Sequence, residues 1–381
     1  MGNKDKKTIL VFGGAGFIGA HFVRFWREHH SEWRVIVLDA LTYSGDLARL
    51  GEFIDPKTRT AKDPRVEFVH IDIRDGKAVA GAFAVWKPDY VINFAAETHV
   101  DRSIHVGAQE FIDTNVTGVF HILEAVKKYG CEKFVQVSTD EVYGELPLDR
   151  PDLKFGEEWQ YKPNVPYSAT KAAGDLLCRA YHFTWQVPVI VTHCSNNYGE
   201  WQYPEKLIPF MTHRLLERKT VPIYGDGENV RDWIYVGDHV RALDLVLVQG
   251  KSGETYNIGA DNERNNLEIA ELVIRHLEPT DAEWRSRIEF VTDRPGHDRR
   301  YAINASKIER ELRWKPVWTA KKFTEKLFAT VDWYREHLDW CRAVQARTGV
   351  VNSHIDLWKA TMTNDPPDLS AERGPASGEK S

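Results

Sequence analysis

Tyr167 and Lys171 stand four positions apart, the spacing that puts two side chains on one face of a helix. An ammonium beside a phenol favours the phenolate and brings the tyrosine pKa toward working pH, so the pair is a candidate general base. The other reading of Tyr-x-x-x-Lys is a solvated helix face. Upstream, Ser138-Thr139-Asp140-Glu141 sets hydroxyls beside two adjacent carboxyls. Neighbouring carboxyls can split their pKa values and work as acid and base. The same string is equally a helix-capping signature. A third group is Gly13-Gly-Ala-Gly16-Phe-Ile-Gly19. Gly13 permits a tight turn, Gly16 lets backbone N–H groups approach a pyrophosphate, and Gly19 lets a helix pack against a strand. Asp39 follows Gly19 by 20 residues. It is placed to accept hydrogen bonds from adenosine ribose hydroxyls and to repel a 2′-phosphate, which favours NAD over NADP; a strand-terminal Asp can also cap the next turn. Hydride chemistry joined to an extra acid–base pair matches an oxidation that enables an elimination.

These groups need elements to position them. Near-continuous apolar runs at 8–12, 34–39, 66–71, 90–95, 134–138 and 187–193 read as strands buried on both faces of a parallel sheet. Helical patterns at 19–28, 116–129 and 168–185 lie between them. The alternation predicts an α/β fold, a doubly wound, Rossmann-like parallel sheet. The glycine loop then links the first strand to the first helix. Asp39, Asp72-Ile73, Ala95-Ala96 and Ser138 fall at carboxyl ends of strands, where such sheets build their sites. After residue 198 the rhythm breaks at Pro204, Pro209 and Pro222, with Gly225-Asp226-Gly227 as a turn. Amphipathic stretches follow at 266–277 and 321–345. The expected organisation is a cofactor domain over 1–198, with about 232–258 returning to it, a smaller mixed α/β C-terminal substrate domain over 199–350, and a disordered tail at 364–381.

Composition excludes several classes. Fifty Lys+Arg against 56 Asp+Glu give a net charge of −6, which offers no support for a nucleic-acid binder. No run of 18 apolar residues offers a membrane span. The basic, apolar N-terminus imitates a secretory signal but is interrupted by glycines, and Lys6 stands where a myristoylation signal wants Ser or Thr. Cys131, Cys178, Cys194 and Cys341 show no metal or redox spacing and read as reduced thiols of a cytoplasmic protein. No histidine pair with a third ligand nearby suggests a metal. Thirteen Trp fall mostly outside the motifs and read as packing.

Longer motifs carry a resemblance over about residues 8–318. GGAGFIG, AAETHVDRSI, YSATK and NNYG resemble the extended short-chain dehydrogenase/reductase family. STDEVYG, CSNNYGEWQYPEKLIPF, PIYGDGENVRDWIYV, YNIGADNERNN and DRPGHDRRYAI narrow it to the dehydratases that act on dTDP-glucose. Epimerases of this fold usually lack the Asp-Glu pair, and related decarboxylases tend to keep only the Glu; here both stand.

The resemblance implies that Tyr167, assisted by Lys171, takes the proton from the sugar 4-hydroxyl while NAD takes the carbon 4 hydride. Glu141 then removes the carbon 5 proton, Asp140 protonates the departing 6-hydroxyl, and the hydride returns to carbon 6. Thr139 orients oxygen 4. It implies cofactor contacts at Gly13, Gly16, Phe17, Ile18, Gly19, Asp39, Ala40, Leu41, Thr42, Asp72, Ile73, Phe94, Ala95, Ala96, Thr114, Tyr167, Lys171 and Asn197. Implied substrate contacts are Thr98, Thr139, Asn196, Lys206, Leu207, Pro222, Ile223, Tyr224, Arg231, Asn266, Asp293, Arg294, Pro295, Gly296 and His297. Arg231 would grip the diphosphate; its alternative is an exposed ion pair with Asp232. Asn196 and Asn197 have turn residues as theirs. The substrate expected is dTDP-glucose, with UDP-glucose as the near alternative, and the product would feed deoxysugars such as rhamnose. A cytoplasmic homodimer is expected, paired through helices 116–129 and 168–185, with no metal, nucleic-acid or membrane partner. No role attaches to the extension MGNKDKK, the stretch 55–63 or the tail beyond about residue 352.

Overall fold

The computed structural model describes residues 7–279 and 283–348, and the expected tail at 364–381 lies outside them. The strands are β1 Thr8–Phe12, β2 Arg34–Asp39, β3 Val66–His70, β4 Tyr90–Asn93, β5 Lys133–Thr139, β6 Val189–Cys194, β7 Asn196–Tyr198, β8 Val221–Tyr224, β9 Val230–Tyr235, β10 Thr255–Ile258, β11 Glu263–Asn265 and β12 Ile288–Val291. Seven of them form one sheet in the order β3-β2-β1-β4-β5-β6-β10, every pairing parallel. This is the doubly wound order, with its switch point between β1 and β4.

Side chains alternate across this sheet. Ile9 and Val11 of β1 join the core under helices Phe17–His29 and Val236–Gln249. Leu10 and Phe12 join the opposite core, under helices Gly76–Trp86, Val119–Tyr129 and Pro166–Trp185. Because both faces are covered, the strands read as unbroken apolar runs rather than alternating ones. Phe22 and Trp26 of the first helix are fully buried, and Phe22→Ala would cost about 3–5 kcal/mol. Trp26 packs edge-on against Trp33 at 5.3 Å, so this part of the tryptophan surplus serves packing.

Beyond β6 the chain builds a three-stranded sheet, β11-β9-β7, and a parallel pair, β12-β8. These pack on helices Leu207–Leu216, Asn266–Leu277 and Phe323–Glu336 around a third core. Asn265 caps helix Asn266–Leu277 in a reciprocal box with Glu268. Within 232–258, helix Val236–Gln249 and β10 return to the large sheet, whereas β9 is the middle strand of the small one.

Two local expectations differ. The stretch 321–345 forms two helices, Phe323–Glu336 and Leu338–Thr348, separated at His337. They serve different neighbours: Leu327 and Val331 enter the third core, while Trp340 and Val344 pack on Tyr203 and Tyr43. The helix expected from residue 116 is entered instead through a π-helical turn, Asp113–Gly118, and is regularly helical from Val119. Such turns occur often at functional sites. Here the turn aims Asn115 at Glu97 N (2.9 Å), Glu97 O (3.0 Å) and Thr170 Oγ1 (3.0 Å). It thereby ties the loop after β4 to the helix that carries Tyr167.

Candidate active site

The carboxyl ends of β1, β4, β5 and β6 open onto a cavity of about 420 Å³, closed on its far side by the small sheet. One end is made by the glycine loop. Gly13 has φ +71, and a Cβ there would lie 2.5 Å from Ala95 N; a Cβ on Gly19 would lie 2.2 Å from Gly13 O. Both positions therefore require glycine. A Cβ on Gly16 would meet only Gly13 O, at 3.1 Å, and would otherwise stand in the space before the helix. Gly16 is the N-cap of helix Phe17–His29, whose first turn has neither a side-chain cap nor an acid. A helix N-terminus without its own capping side chain, at a cradle that a side chain would fill, fits a pyrophosphate.

Asp39 takes up the capping task and also braces the glycine loop. Oδ1 accepts from Leu41 N at 2.7 Å, capping the turn, and Oδ2 accepts from Ala15 N at 2.9 Å, fixing the glycine loop. Leu41 takes φ +50 there. Burial pushes the Asp39 carboxyl up, against these two N–H donors.

The other end is made of side chains. Thr139 ends β5 and caps the turn Asp140–Tyr143, its Oγ1 accepting from Glu141 N at 3.3 Å. The capping reading is thus true of Thr139, whose hydroxyl also donates to Asp140 Oδ1 at 3.4 Å, and both carboxyls line the cavity. Asp140 is 1% exposed, and its Oδ2 has no hydrogen-bond partner among the described residues. Burial, then Glu141 and Asp232, push it well above the carboxylate range. Glu141 is raised too, by burial, with Arg294 and Arg231 pulling the other way. Tyr167 opens helix Pro166–Trp185 behind Pro166 at its start, where proline is pre-organised for helix. Thr170 Oγ1 donates to Tyr167 O at 2.8 Å, and Lys171 Nζ donates to Val137 O at 2.8 Å. The expected lowering of the phenol is absent: burial, and next Glu141, push Tyr167 well above its ordinary value. Burial lowers Lys171.

Of the anticipated residues, Gly13, Gly16, Phe17, Ile18, Gly19, Phe94, Ala96, Thr98, Thr139, Asp140, Glu141, Tyr167, Lys171, Asn196, Asn197, Lys206, Leu207, Pro222, Ile223, Tyr224, Arg231, Asn266, Arg294 and His297 line this one cavity. Asp39, Ala40, Leu41, Thr42, Asp72, Ile73, Ala95, Thr114, Asp293, Pro295 and Gly296 do not line it. Thr114 stands in the π turn. Asp72 is held by Arg74 at 2.6 Å, and Asp293 holds the His297 ring at 2.6 Å. Arg231 is 6% exposed, lies over the Tyr301 ring at 4.2 Å and donates to Val230 O and Asp298 O, so its alternative as an exposed ion pair does not describe it. Sequence reasoning missed Tyr43 and Tyr203, which form one wall, and the buried His99–Glu205 contact at 2.9 Å. Both members of that pair stood inside quoted motifs, but only the fold brings them together.

Comparisons with known proteins agree with this geometry. Residues 10–327 match the family described as GDP-mannose 4,6 dehydratase. The dTDP-glucose 4,6-dehydratase of Salmonella typhimurium is 44% identical, over 91% of this chain and 98% of its own. That of Xanthomonas campestris is 47% identical, over 88% and 95%. The chain belongs to the dTDP-glucose 4,6-dehydratase family. A solved dehydratase of that family, from Streptomyces venezuelae with NAD bound, superposes with a TM-score of 0.80 at 44% identity, covering 88% of this chain and 99% of the other. Among the described residues, no helix is long and apolar enough to cross a membrane, and no group of three or more His, Cys, Asp or Glu could hold a metal ion.

Proposed function

We propose that this chain is an NAD-dependent hydro-lyase that converts dTDP-glucose to dTDP-4-dehydro-6-deoxyglucose for deoxysugar synthesis. The observation that carries the reading is the placement of Asp140 and Glu141, both raised, beside Tyr167 and Lys171 on one cavity. When bound, NAD would supply a hydride acceptor for carbon 4 of the sugar and a hydride source for carbon 6. Gly13, Gly16, Gly19 and Asp39 would hold the dinucleotide. Tyr167 takes the 4-hydroxyl proton. Burial holds its phenol protonated, so positive charge must lie beside it for the phenolate to form, and Lys171 is this chain's own contribution. The ketone at carbon 4 makes the carbon 5 proton acidic, and Glu141 removes it. Asp140, whose burial favours the protonated carboxyl, gives that proton to the 6-hydroxyl, which leaves as water. Thr139 orients oxygen 4, and Arg231 and Arg294 face the diphosphate.

The chain works as a cytoplasmic homodimer in this reading. Support comes from Phe120 (40% exposed), Leu176 (55%), Phe183 (61%) and Trp185 (51%), which leave apolar surface on two adjacent helices. Four free cysteines suit a reducing compartment. The deciding experiment follows isotopes. With substrate deuterated at carbon 4, label must appear at carbon 6 and solvent deuterium at carbon 5; label retained at carbon 4 with inverted configuration makes the enzyme an epimerase. Assays with dTDP-glucose and UDP-glucose side by side fix the nucleotide.

A further inference from the structure

Behind the cavity wall runs a buried polar chain that the mechanism above leaves without a role. Asp175 stands one turn beyond Lys171 on helix Pro166–Trp185 and is 2% exposed. Its Oδ2 accepts from Ser138 Oγ at 2.5 Å and lies 3.3 Å from His193 Nε2. His193 is fully buried on β6, in register with Ser138 on β5. Its Nε2 also meets the Tyr161 hydroxyl at 3.0 Å, and its Nδ1 meets the Tyr143 hydroxyl at 2.8 Å. A carboxylate only accepts, so Nε2 is the nitrogen that can donate to Asp175, while the Tyr143 hydroxyl donates to Asn257 Oδ1 at 2.9 Å. Ser138 in turn lines the cavity directly before Thr139, Asp140 and Glu141.

Lys171 is the cation this carboxylate faces. Burial lowers the Lys171 ammonium, and Asp175 is the strongest charge opposing that. The other groups facing Lys171 are two thiols, Cys178 on the same helix and Cys194 on β6. Burial pushes both up, Cys194 to about 12, so neither carries charge near neutrality. The phenols around Asp175, Tyr143 and Tyr161, are pushed up by burial as well. Asp175 is the negative charge left to balance the lysine. A buried ammonium without one would shed its proton.

We infer that Asp175 is a positioning residue for this reaction: it is the buried counter-charge that keeps Lys171 an ammonium beside Tyr167, and Ser138 and His193 hold its carboxylate in place. The inference rests on the reading of Tyr167 and Lys171 as the base that starts the oxidation.

Asp175→Asn tests it, because the amide keeps the shape and still accepts from Ser138. Lys171 then loses its proton at lower pH, so the alkaline limb of the kcat profile moves down by about one pH unit while KM for the nucleotide sugar holds. Nuclear magnetic resonance on protein with carbon-labelled lysine, assigned against Lys171→Met, shows the same fall in the Lys171 midpoint. Asp175→Glu, which restores the charge, returns the limb toward the parent. A uniform loss of kcat with the limb and the Lys171 midpoint unmoved overturns the inference and leaves Asp175 as packing. Should Asp175→Asn not fold, His193→Gln carries the test: release of the carboxylate shifts the limb the same way, and an unmoved limb overturns the inference. Tyr167→Phe separates the two levels. An inactive Tyr167→Phe with an unmoved Asp175→Asn profile sinks this inference alone, and a fully active Tyr167→Phe sinks the base reading along with it.

Discussion

The two ends of the cavity are built on opposite principles. At the cofactor end the polar groups are settled within the protein: Asp39 satisfies Ala15 N and Leu41 N, Asn93 Oδ1 accepts from Ala95 N at 3.0 Å, and Asn115 accepts from Glu97 N. Recognition there is carried by backbone, in glycines that no side chain can replace. At the sugar end recognition is carried by side chains held in unfavourable states. Among the described residues Asp140 Oδ2 and Arg294 Nε have no hydrogen-bond partner, and Asp140 and Glu141 are both raised. One end spends its interactions on holding a shape. The other keeps charge under tension, where it can change during a reaction. Substitutions should therefore trade stability against activity in opposite senses at the two ends.

The largest expected effect is at the sugar end. Glu141→Gln should lower kcat by about 10²–10⁴-fold, the usual range for a lost general base, with the thermal midpoint unchanged or higher. Steady-state kinetics and a melt on one preparation check it; a midpoint falling in step with kcat would show that this acid also holds the fold. At the cofactor end the reverse should hold. Gly19→Ala drives a Cβ against the Gly13 carbonyl and should cost roughly 3 kcal/mol of stability in a denaturant titration. Wild-type stability in that variant would mean the loop relaxes, and the two ends would differ less than their geometry says. Asp39→Ala is milder. It leaves two backbone N–H groups without their acceptor, about 1–3 kcal/mol each if they stay buried, and should weaken NAD binding roughly tenfold by calorimetry. Unchanged affinity would make Asp39 a brace for the loop alone.

The same contrast decides how much was legible in the sequence. Backbone recognition is local: Gly13, Gly16 and Gly19 sit within one turn, and strand β1 and helix Phe17–His29 follow directly from the pattern around them. Strands β1 and β2 coincide with their expected spans because burial on both faces leaves unbroken apolar runs. Side-chain recognition is assembled from distant segments. Arg231 meets Tyr301 and Asp298, and His99 meets Glu205, through contacts that no spacing encodes. The π turn at Asp113–Gly118 reads as plain helix in sequence, since its extra residue changes hydrogen bonding without changing which residues are apolar. The phenol of Tyr167 was misjudged for a related reason: the Lys171 neighbour is local and visible, while the burial that outweighs it belongs to the whole fold.

The smallest and sharpest test concerns Asp140. Its folded pKa is raised, mainly by burial, so the native state favours the protonated carboxyl. The sign follows: its contribution to stability is fully present below the ordinary carboxylate range and is lost as pH rises through the folded value. Asn is neutral at every pH and nearly the same size. Asp140→Asn should therefore flatten the fall of stability as pH rises above the ordinary carboxylate range and match or exceed the parent at the upper end of that fall, while turnover drops because no proton is offered to the leaving hydroxyl. Denaturant midpoints across the pH range read this directly. A variant that tracks the parent at every pH would mean that Asp140 is not held protonated by the fold, and the tension ascribed to the sugar end would have to reside in Glu141 alone.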